Sequence, residues 1–290
     1  MSAIYKNEAA RKAILDLYEQ KLQDLNIPYE EVDVNTSFGK THIIRIGDRE
    51  KKPLVVFHGI HAGAPLALEA IKDLSDEFQI FAVDTIGQAT KSDETILDIN
   101  DDSYAVWGSE VLDGLAFEKA DAIGVSYGGF ILQKILQFRP SRVDRAVLVV
   151  PAGLSNGSFL PSIFRLSFPL VRYMITKKDA HLRSFLRAFV PDNDKHMFQL
   201  QKILLTGVKM DFRRPGLLKK NDVAHVENPV YLMVADDDVF FPGPASVERA
   251  NEVFPNLNDV HVLENSRHIP QADRYDEIQE TIRKWLSVHS

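Results

Sequence analysis

Apolar positions along this chain follow two rhythms. Residues 3–25 carry Ile14, Leu15, Tyr18, Leu22 and Leu25 at helical spacing, which predicts an amphipathic helix. Two short alternating runs follow, 29–34 and 41–46. The Ser37-Phe38-Gly39-Lys40 turn between them predicts a hairpin. At Pro53 the texture changes. Residues 53–57 are continuously apolar, as suits a strand buried on both faces. Strand-like runs then recur at 79–83, 120–125, 143–150, 229–234 and 259–263. Helical stretches at 65–75, 103–115, 128–138, 245–254 and 272–288 alternate with them. The pattern predicts an α/β fold of eight strands, mostly parallel after an antiparallel start, with helices on both faces.

The alternation breaks once. Between Pro151 and Asn228 no strand pattern appears. Amphipathic stretches at 163–175, 180–190 and 195–209 are separated by Pro161, Pro169, Pro191 and Pro215. The segment is too long for a structureless loop. It reads as a helical cap, 152–222, inserted into a core made of 1–151 (with the helix at 3–25) and 223–290. There is no internal repeat and no low-complexity tract.

Composition narrows the chemistry. The 290 residues suffice for one large α/β domain with an insert. The chain has no cysteine, which excludes disulfides, thiolate metal sites and a Cys nucleophile. A net charge of −7, without a basic patch, points away from nucleic acid, and no polybasic run points to an anionic membrane. No apolar run is long enough for a membrane span, and 1–16 lacks the apolar core of a signal peptide, so a cytoplasmic location is expected. The matches Asn35-Thr36-Ser37 and Asn156-Gly157-Ser158 to a glycosylation pattern therefore carry no weight.

One motif stands out. Gly124-Val125-Ser126-Tyr127-Gly128 is G-x-S-x-G, with a strand pattern before it and a helical pattern after it. A serine on a sharp strand-to-helix turn crowds the residues two before and two after it, and glycine lacks the Cβ that would collide. The helix that follows aims free N–H groups and its positive dipole end at the same place. Ser126 is the candidate nucleophile.

With these residues in hand the chain resembles the α/β-hydrolases, in particular carboxylesterase-like members with a helical cap. His58-Gly59 ends the third strand as that family's oxyanion-loop motif does. Asp84-Thr85-Ile86-Gly87, with Ser92 beyond, resembles the D-x-x-G…S stretch after the fourth. The resemblance covers roughly 30–288. It departs at Arg267, where a Gly often precedes the base, and at Ala235, where a Gly often precedes the acid.

The resemblance implies the order Ser, acid, His. Of nine histidines, His268 follows the last strand on a loop, the place for the base. His261 lies inside that strand, His42 in the hairpin, His181, His196 and His225 in or near the cap, and His289 in the tail. His58 is expected to serve as a hydrogen-bonding brace. Asp236, Asp237 and Asp238 are consecutive, and residue type alone does not choose among them; the resemblance implies Asp238, with Pro242 four residues on. It also implies an oxyanion hole from the backbone N–H groups of Ile60 and Tyr127.

Other matches fail. Ser37-x-x-Lys40 lacks its β-lactamase companions, and His58 with His61 has no acidic cluster to complete a metal site. The expectation is a serine hydrolase cleaving a small-molecule carboxylic ester, with no cofactor and no metal. The same triad could serve thioester, amide, lactone or carbon–carbon cleavage, or cofactor-free haloperoxidation; a non-catalytic binding protein is the remote alternative. Phe185, Phe189, Met174 and Met210 are expected to line an apolar pocket under the cap, favouring apolar acyl groups of modest size. Substrate identity and oligomeric state are not legible.

Overall fold

A computed structural model describes residues 4–157, 162–192, 194–209, 211 and 213–287. Among these, Ser158, Met210 and His289 of the readings above are not included. Eight strands form one sheet: β1 (Glu30–Thr36), β2 (Gly39–Ile46), β3 (Lys52–Phe57), β4 (Phe78–Val83), β5 (Ala120–Val125), β6 (Val143–Val149), β7 (Val230–Ala235) and β8 (Leu257–Leu263). Their order is β1-β2-β4-β3-β5-β6-β7-β8. β2 runs antiparallel to both of its neighbours, β1 and β4, and the other pairs are parallel.

The helices are α1 (Glu8–Asp24), α2 (Gly63–Glu69), α3 (Ser103–Gly114), α4 (Tyr127–Phe138), α5 (Phe168–Thr176), α6 (Asp179–Leu186), α7 (Lys195–Gly207), α8 (Lys220–Val223), α9 (Gly243–Val253) and α10 (Tyr275–Leu286). Strand side chains alternate between two apolar layers, as a pleated sheet covered on both faces must. Val55 and Phe57 join Trp107 of α3, Ile131 of α4 and Val253 of α9. Leu54 and Val56 join Leu68 of α2 and Ile282 of α10 on the opposite face.

Register sets the site. The chain leaves β3 in one direction to reach β4, while β5 lies on its other side, so the connections diverge between β3 and β5. Such switch points, at the carboxyl ends of strands, are where open α/β sheets bind ligands. Phe57 pairs with Gly124, Val125 with Val149, Val149 with Met233 and Ala235 with Leu263. The loops after β3, β5, β7 and β8 therefore leave the sheet along one edge.

Several boundaries differ from the sequence pattern. The first helix begins at Glu8 because the Asn7 side chain caps it, accepting from Ala10 N–H at 2.8 Å. Residues 4–6 are instead extended and run beside the end of α7: Lys6 N–H donates to Gly207 O and Lys209 N–H to Ile4 O, each at 2.8 Å. The stretch 65–75 divides into α2 and a 3₁₀ turn, Lys72–Asp76. The stretch 163–175 opens with a wide π-type turn, Ile163–Ser167, and only then becomes α5.

Helices α5, α6 and α7 make a separate lobe above the sheet edge. The roots of that lobe belong to the core: Ala152, Leu154 and Leu218 are buried with the sheet, and Ser155 Oγ is hydrogen-bonded to Ser246 Oγ of α9 at 2.7 Å. Helix α1 wedges between the two parts. Its Tyr18 and Leu22 pack with the core layer, while Ile14 and Leu17 pack with Phe185, Leu200 and Leu204 of the lobe. Replacing Ile14, 2% exposed, with Ala should lower stability by about 2–5 kcal/mol in urea unfolding. Hydrogen exchange in 195–207 should quicken more than in 230–235; a uniform change across both would show that α1 does not brace the lobe.

Candidate active site

Ser126 stands between β5 and α4 with φ 53° and ψ −113°, a conformation sparsely populated by residues with a side chain. Close backbone packing holds it. Its N–H donates to Val149 O at 2.9 Å, and its own carbonyl accepts from Gly129 at 2.9 Å and Ala152 at 3.0 Å. A Cβ on Gly128 would sit 2.0 Å from Phe57 O, and one on Gly124 2.5 Å from Gly128 O. Both glycines are thus fixed by the approach of other backbone, the physical reason for the G-x-S-x-G spacing.

Three side chains that the sequence singled out lie in one hydrogen-bonded line. His268 Nε2 is 2.9 Å from Ser126 Oγ, and His268 Nδ1 is 2.7 Å from Asp238 Oδ2. A carboxylate only accepts, so Nδ1 carries the proton and Nε2 is left to accept from the serine hydroxyl. The second Asp238 oxygen accepts from the N–H groups of Phe240 and Phe241, at 2.8 and 3.0 Å. The rings of the same two residues stand edge-on to the imidazole, with centroids 5.1 and 5.5 Å away. Asp238 is buried.

Its neighbours do other work. Asp236 accepts from Asn265 and Ser266 N–H at 2.8 and 3.0 Å, tying the β7 loop to the β8 loop. Asp237 is paired with Arg165 of the lobe at 2.8 and 3.0 Å.

The loop after β3 is pinned by two neutral histidines. His58 Nδ1 donates to Gly59 O at 2.6 Å, and Nε2 accepts from Thr85 N–H at 3.0 Å. Burial pushes its pKa below the ordinary histidine value. His61 has φ 53°; its N–H donates to Gln88 Oε1 at 2.6 Å and its Nδ1 accepts from Ala89 N–H at 3.0 Å. Burial pushes its pKa down to about 4. Between them, a Cβ on Gly59 would lie 3.4 Å from Ser126 Cβ, so Ile60 follows directly on the segment that abuts the serine. Tyr127, the first residue of α4, has no intrahelical acceptor for its N–H. The Asp84 carboxylate joins this loop to the rest by accepting from Ala64 N–H at 2.9 Å and meeting His42 Nδ1 at 2.9 Å. The bracing by His61 and Gln88 was not read from the sequence; no pattern there separates a braced histidine from a loop histidine.

A cavity of about 340 Å³ opens beside Ser126 and His268. Phe185, Phe189, Met197 and Leu200 wall it on the lobe side, and Ile123, Leu263, Ile278 and Ile282 on the core side. It thus continues from the sheet edge down into the layer between the sheet and α10. Met174, expected to line it, is instead 43% exposed, because α5 turns Pro169 and Tyr173 inward. Glu69 and Asp194 also line the cavity, beside Tyr275, whose pKa burial and these two acids raise.

An arrangement of hydroxyl, imidazole and buried carboxylate can deprotonate the hydroxyl as it attacks an electrophile. A model of the α/β hydrolase fold family matches residues 52–275. The chain belongs to that family. It is 26% identical over 280 residues to carboxylesterase YbfK of Bacillus subtilis, covering 93% of this chain and 92% of that protein. It is 24% identical over 283 residues to the same organism's uncharacterized carboxylesterase nap, covering 94% and 92%. The crystal structure of carboxylesterase CesB (YbfK) superposes with a TM-score of 0.80 at 23% identity, over 96% of this chain and 99% of that one. No helix among the described residues is long and apolar enough to cross a membrane.

The burial of His58 and His61 gives stability a pH signature. Both are neutral when folded, whereas the unfolded chain takes up their protons as pH falls below about 6.5. Their contribution is present above that pH and is lost as pH falls toward the folded value of about 4 for His61. His61→Asn keeps an acceptor and tolerates positive φ. It should flatten the fall in stability between about pH 6.5 and 5, by up to roughly 1.4 kcal/mol per pH unit, in urea unfolding at stepped pH. An unchanged slope would mean that His61 is not held neutral.

Proposed function

We propose that this protein is a carboxylesterase that works through an acyl-enzyme on Ser126. The observation that carries the reading is the line Ser126 Oγ–His268 Nε2 at 2.9 Å and His268 Nδ1–Asp238 Oδ2 at 2.7 Å. Ser126 Oγ attacks the ester carbonyl while its proton passes to His268. The N–H groups of Ile60 and Tyr127 hold the oxyanion that forms. Collapse expels the alcohol, which takes the proton from His268. Water, deprotonated by the same imidazole, then releases the acid. Asp238 fixes the tautomer and steadies the imidazolium. The names borne by the full-length relatives support the ester as substrate bond.

In this reading residues 152–222 act as the cap, and the apolar cavity takes the acyl group. Its mixed wall of lobe and core residues suits an uncharged, apolar chain; of the two acids at its margin, Glu69 is already ion-paired with Lys21.

A serine-directed fluorophosphonate should add one adduct by intact mass, absent in Ser126→Ala; an adduct that persists would overturn the assignment. Asp238→Asn should lower kcat by about three to four powers of ten, far more than Asp236→Asn or Asp237→Asn. A larger loss in either neighbour would move the acid.

The cavity gives a second expectation. Ile278→Phe should cut kcat/KM for octanoyl esters by about ten- to a hundredfold and for acetyl esters by less than about threefold. Equal losses on both would place the acyl chain elsewhere.

A further inference from the structure

The lobe carries a surface that its packing does not explain. Phe164, Phe168, Val171 and Ile175 are spaced by four, three and four residues, which sets them on one helical face. They are 69, 56, 54 and 78% exposed, with Met174 beside them. The opposite face of α5, through Pro169 and Tyr173, is already buried on the lobe core. The helix is therefore apolar on two faces, and one of them meets water. Contiguous apolar patches of this kind mark contact surfaces.

Charge around the stripe is equally uneven. Residues 163–187 hold six cations (Arg165, Arg172, Lys177, Lys178, Arg183 and Arg187) and one acid, Asp179. That is a net +5 within a chain of −7, leaving −12 on the rest. The cations are scattered in sequence, so no polybasic run announces them; Arg172, Lys177 and Lys178 lie on α5 or just after it, Arg165 just before it, and Arg183 and Arg187 on α6 or at its end. Arg172, Lys177 and Lys178 have no acidic partner among the described residues, and the first two lie 5.5 Å from the rings of Phe168 and Tyr173.

We propose that this face docks on an anionic lipid–water interface, with the stripe entering the headgroup boundary and Arg172, Lys177 and Lys178 meeting phosphate groups. An exposed apolar face flanked by cations is the chemistry of helices that lie in the membrane plane. A second copy of the chain suits the surface poorly. A two-fold interface would set these cations against their own twins, and the one acid among them, Asp179, is already paired with Lys202 at 2.8 Å. The face adjoins the site described above: Arg165, at the start of the stripe, is ion-paired with Asp237, next to Asp238. Docking itself does not depend on the esterase reading; only the kinetic arm below rests on it.

The test is flotation of the full chain with vesicles of phosphatidylcholine alone and of phosphatidylcholine mixed equally with phosphatidylglycerol. The protein should float with the anionic vesicles and bind the neutral ones at least about tenfold more weakly, with added salt releasing it. Phe168→Asn with Ile175→Asn, and separately Arg172→Glu with Lys178→Glu, should each weaken binding by about tenfold or more. Both sets lie on the surface, so near-native hydrolysis of a water-soluble acetyl ester reports an intact fold. No flotation with anionic vesicles, or flotation indifferent to both variants, overturns the proposal. So does sedimentation equilibrium that finds a dimer broken by the asparagine pair, which would make the occupant a second copy. If wild type floats but hydrolyses no ester, docking stands and the esterase reading fails.

Discussion

The backbone turn at Ser126 is the constraint from which the rest of the site follows. A residue with a side chain held at φ 53° and ψ −113° stores on the order of 1–3 kcal/mol of strain, which only surrounding structure can offset. Here the offset comes from three directions. The serine N–H is bonded to β6, its carbonyl to Gly129 and Ala152, and the helix behind it is pressed against the end of β3 so closely that position 128 has no room for a Cβ. The closeness that strains Ser126 also brings the β3 loop to its flank. The geometry of Ser126 and that of the β3 loop beside it are thus consequences of one packing event. A change that relaxed the turn would separate both at once.

The loop beside it shows how burial is used in place of charge. At His58 and His61 burial disfavours the cation, and at His58 it outweighs the pull of Asp84, 3.9 Å from Nε2, so both pKa values fall below the ordinary histidine value. A neutral imidazole offers one donor and one acceptor. His58 uses both on the backbone around Gly59 and Thr85, and His61 uses its acceptor on Ala89. His268 differs in having Asp238 at hydrogen-bond distance on one side and the cavity on the other, which leaves its Nε2 facing the serine. Three histidines near one site therefore divide by environment: two brace the loop, and one faces the serine.

Much of this was legible in the chain. The change from alternating to continuous apolar runs marked where the parallel sheet begins, and the strand–GxSxG–helix context located the turn, because both patterns arise from local sterics and burial. What the pattern missed depends on contacts distant in sequence. Asp236, Asp237 and Asp238 are identical in type; they differ because the first caps the β8 loop, the second meets Arg165, and the third receives the amides of Phe240 and Phe241. Met174 looked like pocket lining because a helix with apolar residues all round gives no hint of which face turns inward; Tyr173 and Pro169 turn inward instead, onto the lobe's own core rather than the cavity. The extended segment before α1 escaped notice because its partner, at Val208, lies some two hundred residues away.

The wedge formed by α1 changes how the cavity should be regarded. A lobe attached only at its roots, near Ser155 and Leu218, could swing as a hinged flap, since loops at the ends of an insert resist rotation weakly. This lobe is also held on its far side, where Ile14 and Leu17 of α1 enter the same apolar cluster as Phe185 and Leu200, while Tyr18 and Leu22 anchor α1 in the core. A third tie runs directly over the site, from Ile269 N–H, next to His268, to Phe189 O at 3.0 Å. Opening the lobe as one body would expose that cluster and break the tie beside His268. The lobe residues that wall the cavity, Phe185, Phe189, Met197 and Leu200, belong to that same cluster, and the core side, set by Ile123, Leu263 and Ile282 against the sheet, cannot move without the sheet itself. Both walls of the cavity are therefore held by packing: the core side by the sheet layer and α10, the lobe side by the cluster that α1 completes.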